Sequence, residues 1–403
     1  MWLIRSIDFN VKAMENQRTN HIELGDLFRE YSPRYHSENT LCWSQEKAYQ
    51  AIMNCRTSAL GMHQSVCNHC GEKRISYNSC RNRHCPKCQY VKQLLWVDKL
   101  KSRLLPIRYF HVVFTVPEFL NRLFYINQRR CYDMLFKASA EAVQRAASNP
   151  AFLGVRSGCV SILHTWGQSL IYHPHIHMLV PAGGLDEDGQ EWIHASRNFF
   201  VPVKALTKIF RASFYRLINQ ALQEGNLVIP KQDITLYQND SLLKSRLYEK
   251  LWHVYIKKTF KGSGHVVSYL GRYTHRVAIS NSRILSWDKT NSVVKFRWKD
   301  YRDNQWKMMS LGATCFIKRF LQHILPCGYY KIRYYGIFSS AHSRITMGQC
   351  FSLLKSTPGI PQYQGLTSLE VLYLATGQDW HKCSVCKIGR MIPLILLPAP
   401  DGS

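Results

Sequence analysis

The sequence is poor in acidic residues, with 26 Asp plus Glu against 53 Lys plus Arg among 403 residues. The formal net charge of +27 predicts a cationic surface that binds a polyanion, most often nucleic acid; a membrane surface or an acidic protein is the weaker interpretation. No low-complexity basic tail carries this charge, and 46% of the residues are apolar. That composition excludes disorder as the overall state and suffices for the cores of two or three domains.

Long apolar runs are also missing. The first residues, Met1 to Ser6, lack the apolar stretch of a signal peptide, and the apolar stretch from Met391 to Leu397 is interrupted by Pro393. We therefore expect a soluble cytoplasmic protein that does not enter a membrane. In that compartment the 14 cysteines do not indicate disulfides, and because they are clustered rather than dispersed they indicate metal binding.

Two C-x-x-C pairs separated by 14 residues supply four cysteines: Cys67, Cys70, Cys85 and Cys88. Two residues between the thiolates allow a tight turn to direct both sulfurs at one tetrahedral ion, and the spacing is close to that of a four-cysteine structural zinc site. We predict that the four residues bind one Zn²⁺ ion. Cys80 and His84, within the intervening loop, are further candidate ligands, and free buried cysteines are the alternative.

A third pair, Cys383 and Cys386, resembles half of a zinc ribbon. No second pair follows it in the sequence, and His381 could add one ligand. By ligand count alone, this pair is therefore incomplete as a zinc site.

Two histidines lie in a run of alternating residues that is typical of a strand. The period of two places His175 and His177 on the same face. His164 lies 11 residues before His175 on the preceding predicted strand, and antiparallel pairing would bring it to the same point. The other candidates for the third position are Gln168 and His173. Three neutral ligands with open positions would hold Mg²⁺ or Mn²⁺ that polarises a phosphate, whereas histidines with satisfied hydrogen bonds are the alternative.

Two tyrosines, Tyr269 and Tyr273, are four residues apart and share a face if the segment is helical. Arg272 and Arg276 make the same segment cationic. A phenol with a pKa near about 10 is a poor nucleophile at neutral pH, but a metal that withdraws charge from a scissile phosphate makes its attack feasible. An aromatic stripe that faces the core is the alternative.

The pattern of elements predicts an α+β fold with antiparallel sheet. Strands are predicted in 109–116, 159–166, 170–181 and from 277 onward, and helices in 45–61, 92–105, 118–148, 203–224, 241–260 and 314–325. We divide the chain into an N-terminal helical and zinc-binding domain (1–105), a central domain with the histidines and tyrosines (106–290) and a strand-rich C-terminal region (291–403).

These motifs together resemble a known family. His175-Ile176-His177 resembles the HUH motif of single-strand DNA nickases, and its spacing from His164 is similar to that of relaxases. With the cysteine pairs, the tyrosine pair and the stretch from His323 to Gly336, the chain resembles the two-tyrosine HUH transposases of rolling-circle insertion sequences. This family, conventionally numbered ninety-one, has an N-terminal zinc-binding domain, and the likeness runs from about residue 45 to 345.

The resemblance implies an antiparallel-sheet nickase domain preceded by a small zinc-binding domain. It implies a metal-dependent endonuclease and strand transferase that attacks single-stranded DNA, at transposon ends and target, and leaves a 5′-phosphotyrosine and a free 3′-hydroxyl. His175 and His177 would be metal ligands and Tyr269 and Tyr273 the nucleophiles; the four cysteines of the first two pairs would bind the structural zinc. A P-loop is absent from the sequence, which fits rejoining without a nucleotide cofactor.

The remaining expectations concern contacts with DNA. The expected DNA-binding residues are Arg81, Arg83, Arg272, Arg276, Lys331 and Arg333. Lys331 and Arg333 lie in an aromatic and basic run, 329–335, that could stack bases and hold phosphates. The same run is equally compatible with a strand whose tyrosines alternate between core and surface. A plasmid replication initiator or relaxase with the same chemistry is one rival function. The other is a non-enzymatic zinc-dependent DNA-binding regulator, which leaves the histidines and tyrosines unexplained.

Overall fold

The computed structural model describes residues 22–196, 200–257, 277–300, 302–339 and 343–397. In these residues the helices are α1 (Leu24–Glu38), α2 (Trp43–Met53), α3 (Tyr90–Lys101), α4 (Asn121–Ile126), α5 (Gln128–Ser148), α6 (Val203–Gln223), α7 (Ile234–Gln238), α8 (Asp240–Glu249), α9 (Ala313–Leu321), α10 (Ser343–Leu353) and α11 (Ser368–Thr376). The strands are β1 (Met62–Cys67), β2 (Lys73–Tyr77), β3 (Tyr109–Thr115), β4 (Gly158–Trp166), β5 (Tyr172–Pro181), β6 (Gly183–Leu185), β7 (Trp192–His194), β8 (His253–Lys257), β9 (Ile284–Asp288), β10 (Val293–Asp300), β11 (Gln305–Gly312), β12 (Ile332–Gly336) and β13 (Met391–Leu397).

The predicted α+β class is confirmed, because helices accompany sheets whose described strand pairs are all antiparallel. Contacts divide the chain into two units. The described residues of the first lie in 22–95, 277–324 and 363–397, and those of the second lie in 96–257 and 325–362. The predicted domains are consecutive in the chain, whereas each of these units collects segments that are far apart in sequence. None of the helices among the described residues is long and apolar enough to cross a membrane.

The second unit is built on a five-stranded sheet with the strand order β12-β4-β5-β3-β8. Ile176 and Met178 on β5 are completely buried on one face of this sheet, against a core that α5 and α6 complete. In α6, Leu206, Phe210 and Phe214 recur every four residues and are also fully buried, which orients the helix. The alternate residues of β5 therefore lie on the opposite face, where the histidines are.

Three predicted helices differ from the structure, and the first of them, predicted for 45–61, ends eight residues early at Met53. The helix predicted for 118–148 is interrupted between α4 and α5 at Asn127, whose side-chain oxygen accepts a hydrogen bond from the amide of Val228 at 2.8 Å. The helix predicted for 241–260 is wrong in its second half, because α8 ends at Glu249. Residues His253–Lys257 alternate between exposed and half-buried positions and pair with β3 as the edge strand of the sheet.

The first unit contains two three-stranded sheets, β13-β1-β2 and β11-β10-β9. In the second of these, Phe296 on β10 is buried against Phe316 on α9, with ring centroids 5.5 Å apart. Helices α1 and α2 pack through Phe28 and Tyr49, whose rings stack at 4.3 Å. In the other sheet, β13 lies beside β1 with Met391 opposite Cys67, so the C-terminal strand extends the N-terminal hairpin.

Candidate metal centres

Three histidines meet on one face of the five-stranded sheet. His164 on β4 lies directly opposite His175 on β5, and His177 follows two residues along the same face. We call His164, His175 and His177 the histidine cluster; their candidate ligand nitrogens all lie within 4.8 Å of one another. The Nε2 atoms of His175 and His177 are 3.1 Å apart. The structure thus brings the three predicted residues together, and a one-residue slip of β5 would move its two histidines to the opposite face.

Hydrogen bonds orient the rings of His175 and His177. Nδ1 of His175 donates to the backbone carbonyl oxygen of His173 at 2.7 Å, which leaves Nε2 with its lone pair directed at the cluster. Nδ1 of His177 lies 2.8 Å from Nε2 of His111 on β3. Metal-binding histidines commonly fix their orientation through the nitrogen that does not bind the metal. His173 therefore acts through its carbonyl, and His111, which the sequence analysis did not single out, supports His177.

Burial favours the neutral form of His175 and of His111. Burial, with a smaller contribution from the neighbouring His173, lowers the pKa of His175 to about 4. Burial also lowers the pKa of His111 to about 4, with a contribution from Lys257. Because only the neutral imidazole has a lone pair to share with a cation, His175 can bind one at neutral pH.

The donor set fits a divalent cation. With metal–nitrogen bonds of about 2.1 Å, neighbouring ligand atoms of an octahedral ion lie about 3.0 Å apart, close to the 3.1 Å between Nε2 of His175 and Nε2 of His177. Three imidazoles also leave coordination positions for oxygen ligands such as water or phosphate. Since the ligands are neutral, a bound ion would keep its full positive charge for an anionic substrate.

We expect His111→Ala to weaken Mn²⁺ binding by about 10-fold to 100-fold, because His177 loses the partner that orients its ring. Titration of the zinc-loaded protein with Mn²⁺, followed by electron paramagnetic resonance, measures this change. His111→Gln keeps an acceptor for Nδ1–H of His177 and should restore much of the affinity. Val113→Ala, on the same strand, controls for lost packing. Unchanged Mn²⁺ affinity in a folded His111→Ala protein would exclude the positioning role.

A second candidate centre consists of four thiols in the N-terminal region. We call it the N-terminal cysteine cluster, and its members are Cys55, Cys80, Cys85 and Cys88. Sγ of Cys55 lies 3.5 Å from Sγ of Cys88 and 3.6 Å from Sγ of Cys85. Tetrahedral Zn²⁺ with bonds of about 2.3 Å separates its sulfurs by about 3.8 Å, so the four thiols fit this ion. Cys55 was not predicted as a ligand.

A third centre joins the two ends of the chain. We call it the split cysteine cluster, and its members are Cys67, Cys70, Cys383 and Cys386. The prediction that the pairs Cys67/Cys70 and Cys85/Cys88 share one zinc ion is therefore wrong in its grouping. The reason is the β1–β2 hairpin: β2 runs back for five residues, about 16 Å, and carries the chain from the split cluster to the N-terminal cluster. His84 belongs to neither cluster.

The residues predicted to bind DNA have varied surroundings. Arg81 is exposed, whereas Arg83 is half-buried and contacts the ring of His84. Lys331 is half-buried. Arg333 forms an ion pair with Asp133, and its guanidinium lies 4.5 Å from the ring centroid of Phe136, so this arginine has a structural contact inside the second unit. The other predicted residues lie in 258–276, outside the described part of the chain: Tyr269, Arg272, Tyr273 and Arg276.

Comparisons with known proteins identify related transposases. A family model described as a putative transposase matches residues 158–345, and one described as a transposase zinc-binding domain matches residues 27–116. The putative transposase y4qJ of Sinorhizobium fredii (strain NBRC 101917 / NGR234) is 39% identical over 387 residues, which are 94% of this chain and 96% of the relative. The transposase for insertion sequence element IS801 of Pseudomonas savastanoi pv. phaseolicola is 31% identical over 313 residues, 76% of this chain and 74% of the relative. No solved structure matches.

The α+β fold, the thiol clusters and relatives matched over most of their length define a transposase with a zinc-binding domain. The chain belongs to the IS91 family of transposases, as its motifs predicted. The N-terminal cysteine cluster lies wholly within the matched zinc-binding domain, and its four thiols are the donor set for a structural zinc ion.

Proposed function

We propose that this transposase cuts and rejoins single-stranded DNA through 5′-phosphotyrosine intermediates, in rolling-circle transposition. Tyr269 and Tyr273 are the proposed nucleophiles. The histidine cluster is the proposed site of the catalytic Mg²⁺ or Mn²⁺. The observation that supports this most strongly is the convergence of three imidazoles on one face of the β4–β5 pair.

The reaction needs no nucleotide and no change of oxidation state. The tyrosine oxygen attacks the scissile phosphorus, a phosphorus–oxygen bond to the phenol forms, and the bond to the 3′-oxygen breaks. The phenol loses its proton and the departing 3′-oxygen gains one. The phosphotyrosine keeps the energy of the phosphodiester, so attack by a 3′-hydroxyl reverses the step and joins strands. Two tyrosines permit two successive transfers before the DNA is released.

The chain contributes rigid positioning at the histidine cluster. A divalent ion bound there supplies Lewis acidity toward the phosphate oxygens. His164 and His177 are almost completely buried, on central strands of the sheet, and His175 is held by the carbonyl of His173. Ligands fixed in this way need little reorganisation when substrate binds, which is the condition for effective electrostatic catalysis.

Support for a single-stranded DNA partner also comes from the solvent-facing side of the β9–β11 sheet. Arg297 and Lys295 on β10 are exposed beside Trp306 and Met308 on β11, which are 55% and 76% exposed. The guanidinium of Arg297 lies 5.2 Å from the ring centroid of Trp306. Exposed aromatic rings next to cations are the elements with which proteins stack bases and hold phosphates of single strands. Sequence analysis did not identify this surface.

The proposed chemistry is tested with labelled single-stranded oligonucleotides from the ends of the element, in Mg²⁺ or Mn²⁺. We expect an adduct between protein and DNA that survives SDS and retains a label placed on the 3′ side of the nick, because the tyrosine holds the 5′-phosphate of that fragment. Tyr269→Phe combined with Tyr273→Phe should abolish it, because phenylalanine has no oxygen to attack phosphorus. Tyr330→Phe, at a tyrosine that is 79% exposed, is the matched control and should leave it unchanged.

Two results would contradict the proposal. An adduct that persists in the double variant would refute the choice of nucleophiles. Failure of the unaltered protein to form an adduct with any end sequence, while it still binds those ends, would favour a DNA-binding regulator. An adduct formed at a plasmid origin, and at no terminal sequence of the element, would instead favour a replication initiator or relaxase.

A further inference from the structure

We propose that the split cysteine cluster binds a second zinc ion, which joins the N-terminal and C-terminal segments of the first unit. Cys67 and Cys386 are 319 positions apart, yet their Sγ atoms are 3.6 Å apart. The matched zinc-binding domain ends at residue 116, so it contains Cys67 and Cys70 and lacks the other two thiols. The proposal is independent of the DNA-cleavage chemistry.

The distances between the thiols suit a tetrahedral ion and exclude a disulfide. Sγ of Cys70 lies 3.8 Å from Sγ of Cys383, and the separation between Cys67 and Cys386 is nearly the same. A disulfide would require about 2.05 Å, whereas tetrahedral Zn²⁺ separates its sulfurs by about 3.8 Å. Four thiolates are the donor set that favours zinc over magnesium or manganese.

Backbone amides are directed at the sulfurs, as they are around bound thiolates. The amide of His69 donates to Sγ of Cys67 at 3.4 Å, and the amide of Gly389 donates to Sγ of Cys386 at 3.3 Å. Such hydrogen bonds spread the negative charge that four thiolates bring to one site. One amide comes from each end of the chain, so the two pairs have similar surroundings.

The two pairs can approach only because residue 389 is glycine. A Cβ atom at Gly389 would lie 2.4 Å from Sγ of Cys67 and 2.6 Å from Cβ of His69. Both distances are shorter than nonbonded atoms tolerate, so any larger residue would push the C-terminal turn away from Cys67. The sequence thus contains a small residue at the closest point between the pairs.

The backbone around the split cluster repeats that of the N-terminal cluster. Gly71 and Lys387, which follow the second cysteine of each pair, have φ angles of 72° and 58°. In the N-terminal cluster, Arg56 and Arg81 follow Cys55 and Cys80 with φ angles of 58° and 53°. Positive φ is uncommon for residues other than glycine, and its recurrence after metal-site cysteines indicates that the same kind of turn presents the thiols.

The strands on either side provide a scaffold that orders both pairs. Cys67 ends β1, which pairs with β13, and the amide of Cys383 donates to the carbonyl of Gly389 at 2.9 Å. The amide of Arg390 donates to Oδ1 of Asn68 at 2.8 Å. Neither pair alone offers four ligands, so a complete shell requires both segments.

The proposal is tested by measuring the zinc content of the full-length protein with elemental mass spectrometry. We expect two zinc ions per chain in the unaltered protein and one after Cys383→Ser combined with Cys386→Ser. Cys315→Ser, at an exposed cysteine outside the clusters, is the control and should retain two. The proposal would be overturned if the double variant retained two zinc ions. It would also be overturned if the unaltered protein held a single zinc ion whose binding depended only on the N-terminal cysteine cluster.

A second measurement does not depend on the folding of variants. Each cluster has two buried thiols, but Cys70 of the split cluster is exposed, whereas Cys80 and Cys88 of the N-terminal cluster are half-buried, so a chelator should remove zinc from the split cluster first. Alkylation mapped by peptide mass spectrometry should then label the four cysteines of the split cluster together as the first ion is lost. Labelling of Cys383 and Cys386 before any zinc is released would show that these thiols hold no metal, and would contradict the proposal.

Discussion

His175→Ala is expected to reduce formation of the protein–DNA adduct about 1,000-fold or more while leaving the zinc content unchanged. The substitution removes one of three ligands from the histidine cluster, and the 3.1 Å contact between Nε2 of His175 and Nε2 of His177 disappears with it. A divalent cation contributes several kcal/mol to stabilising charge on a phosphate, and a 1,000-fold loss corresponds to about 4 kcal/mol. Gel quantification of the adduct at saturating Mn²⁺ measures the effect.

The matched control is His173→Ala. This residue also lies on β5, but it supports His175 through its carbonyl oxygen, which alanine retains. The amount of adduct that His173→Ala forms should stay within a few-fold of the amount formed by the unaltered protein. Binding of end oligonucleotides, followed by fluorescence anisotropy, should persist in both variants, because the phosphate contacts of a basic surface do not depend on the catalytic ion. Adduct formation by His175→Ala at the unaltered rate would exclude the histidine cluster as the catalytic metal site.

Cys85→Ser is expected to unfold the N-terminal part of the first unit. Cys85 is fully buried in the N-terminal cysteine cluster, and serine leaves three thiols and a buried hydroxyl. Structural zinc contributes an apparent binding free energy of about 10 to 16 kcal/mol in small zinc domains, comparable to the whole stability of a domain. We therefore expect Cys85→Ser to lose one zinc ion per chain. In calorimetry, the thermal unfolding transition of the N-terminal part should be lost as well.

Cys315→Ser serves as the control, since this cysteine is exposed on α9 in the same unit. Its unfolding midpoint should change by no more than about 1 to 2 °C, as for a surface substitution. The histidine cluster lies in the other unit, so Mn²⁺ binding should persist in Cys85→Ser. Retention of every zinc ion and of the unaltered melting profile by Cys85→Ser would show that the N-terminal cluster has no structural role.

The sequence predicted those helices and strands whose hydrophobic pattern lies within a few consecutive residues. Alternation in 170–181 was enough to place His175 and His177 on one face, and the antiparallel neighbour brought His164 opposite. The segment 253–257 was predicted as helix because the apolar pattern of α8 continues into it. Its strand conformation depends on pairing with β3, more than 130 positions away in sequence, and such a distant pairing leaves no signature in the segment itself.

The partners within the metal centres were beyond what spacing can predict. Cys55 belongs to no C-x-x-C pair, and Cys383 and Cys386 find their partners across most of the chain. The two nearby pairs, Cys67/Cys70 and Cys85/Cys88, together have the four cysteines that one zinc site needs. The hairpin between them, however, places each pair in a different cluster. His111 gave no signal either, because its contact with His177 arises from the register of β3 against β5.

The pairing of β1 with β13 has a consequence for how this protein is made. A ribosome adds about 5 to 20 residues per second, so the 319 positions between Cys67 and Cys386 take roughly 15 to 60 s to synthesise. During that time Cys67 and Cys70 have no partners, and the N-terminal sheet lacks one of its three strands. The first unit can therefore be completed only after β13 has been translated, and a copy of the element with a stop codon before β13 yields a transposase whose N-terminal part is unfinished as well.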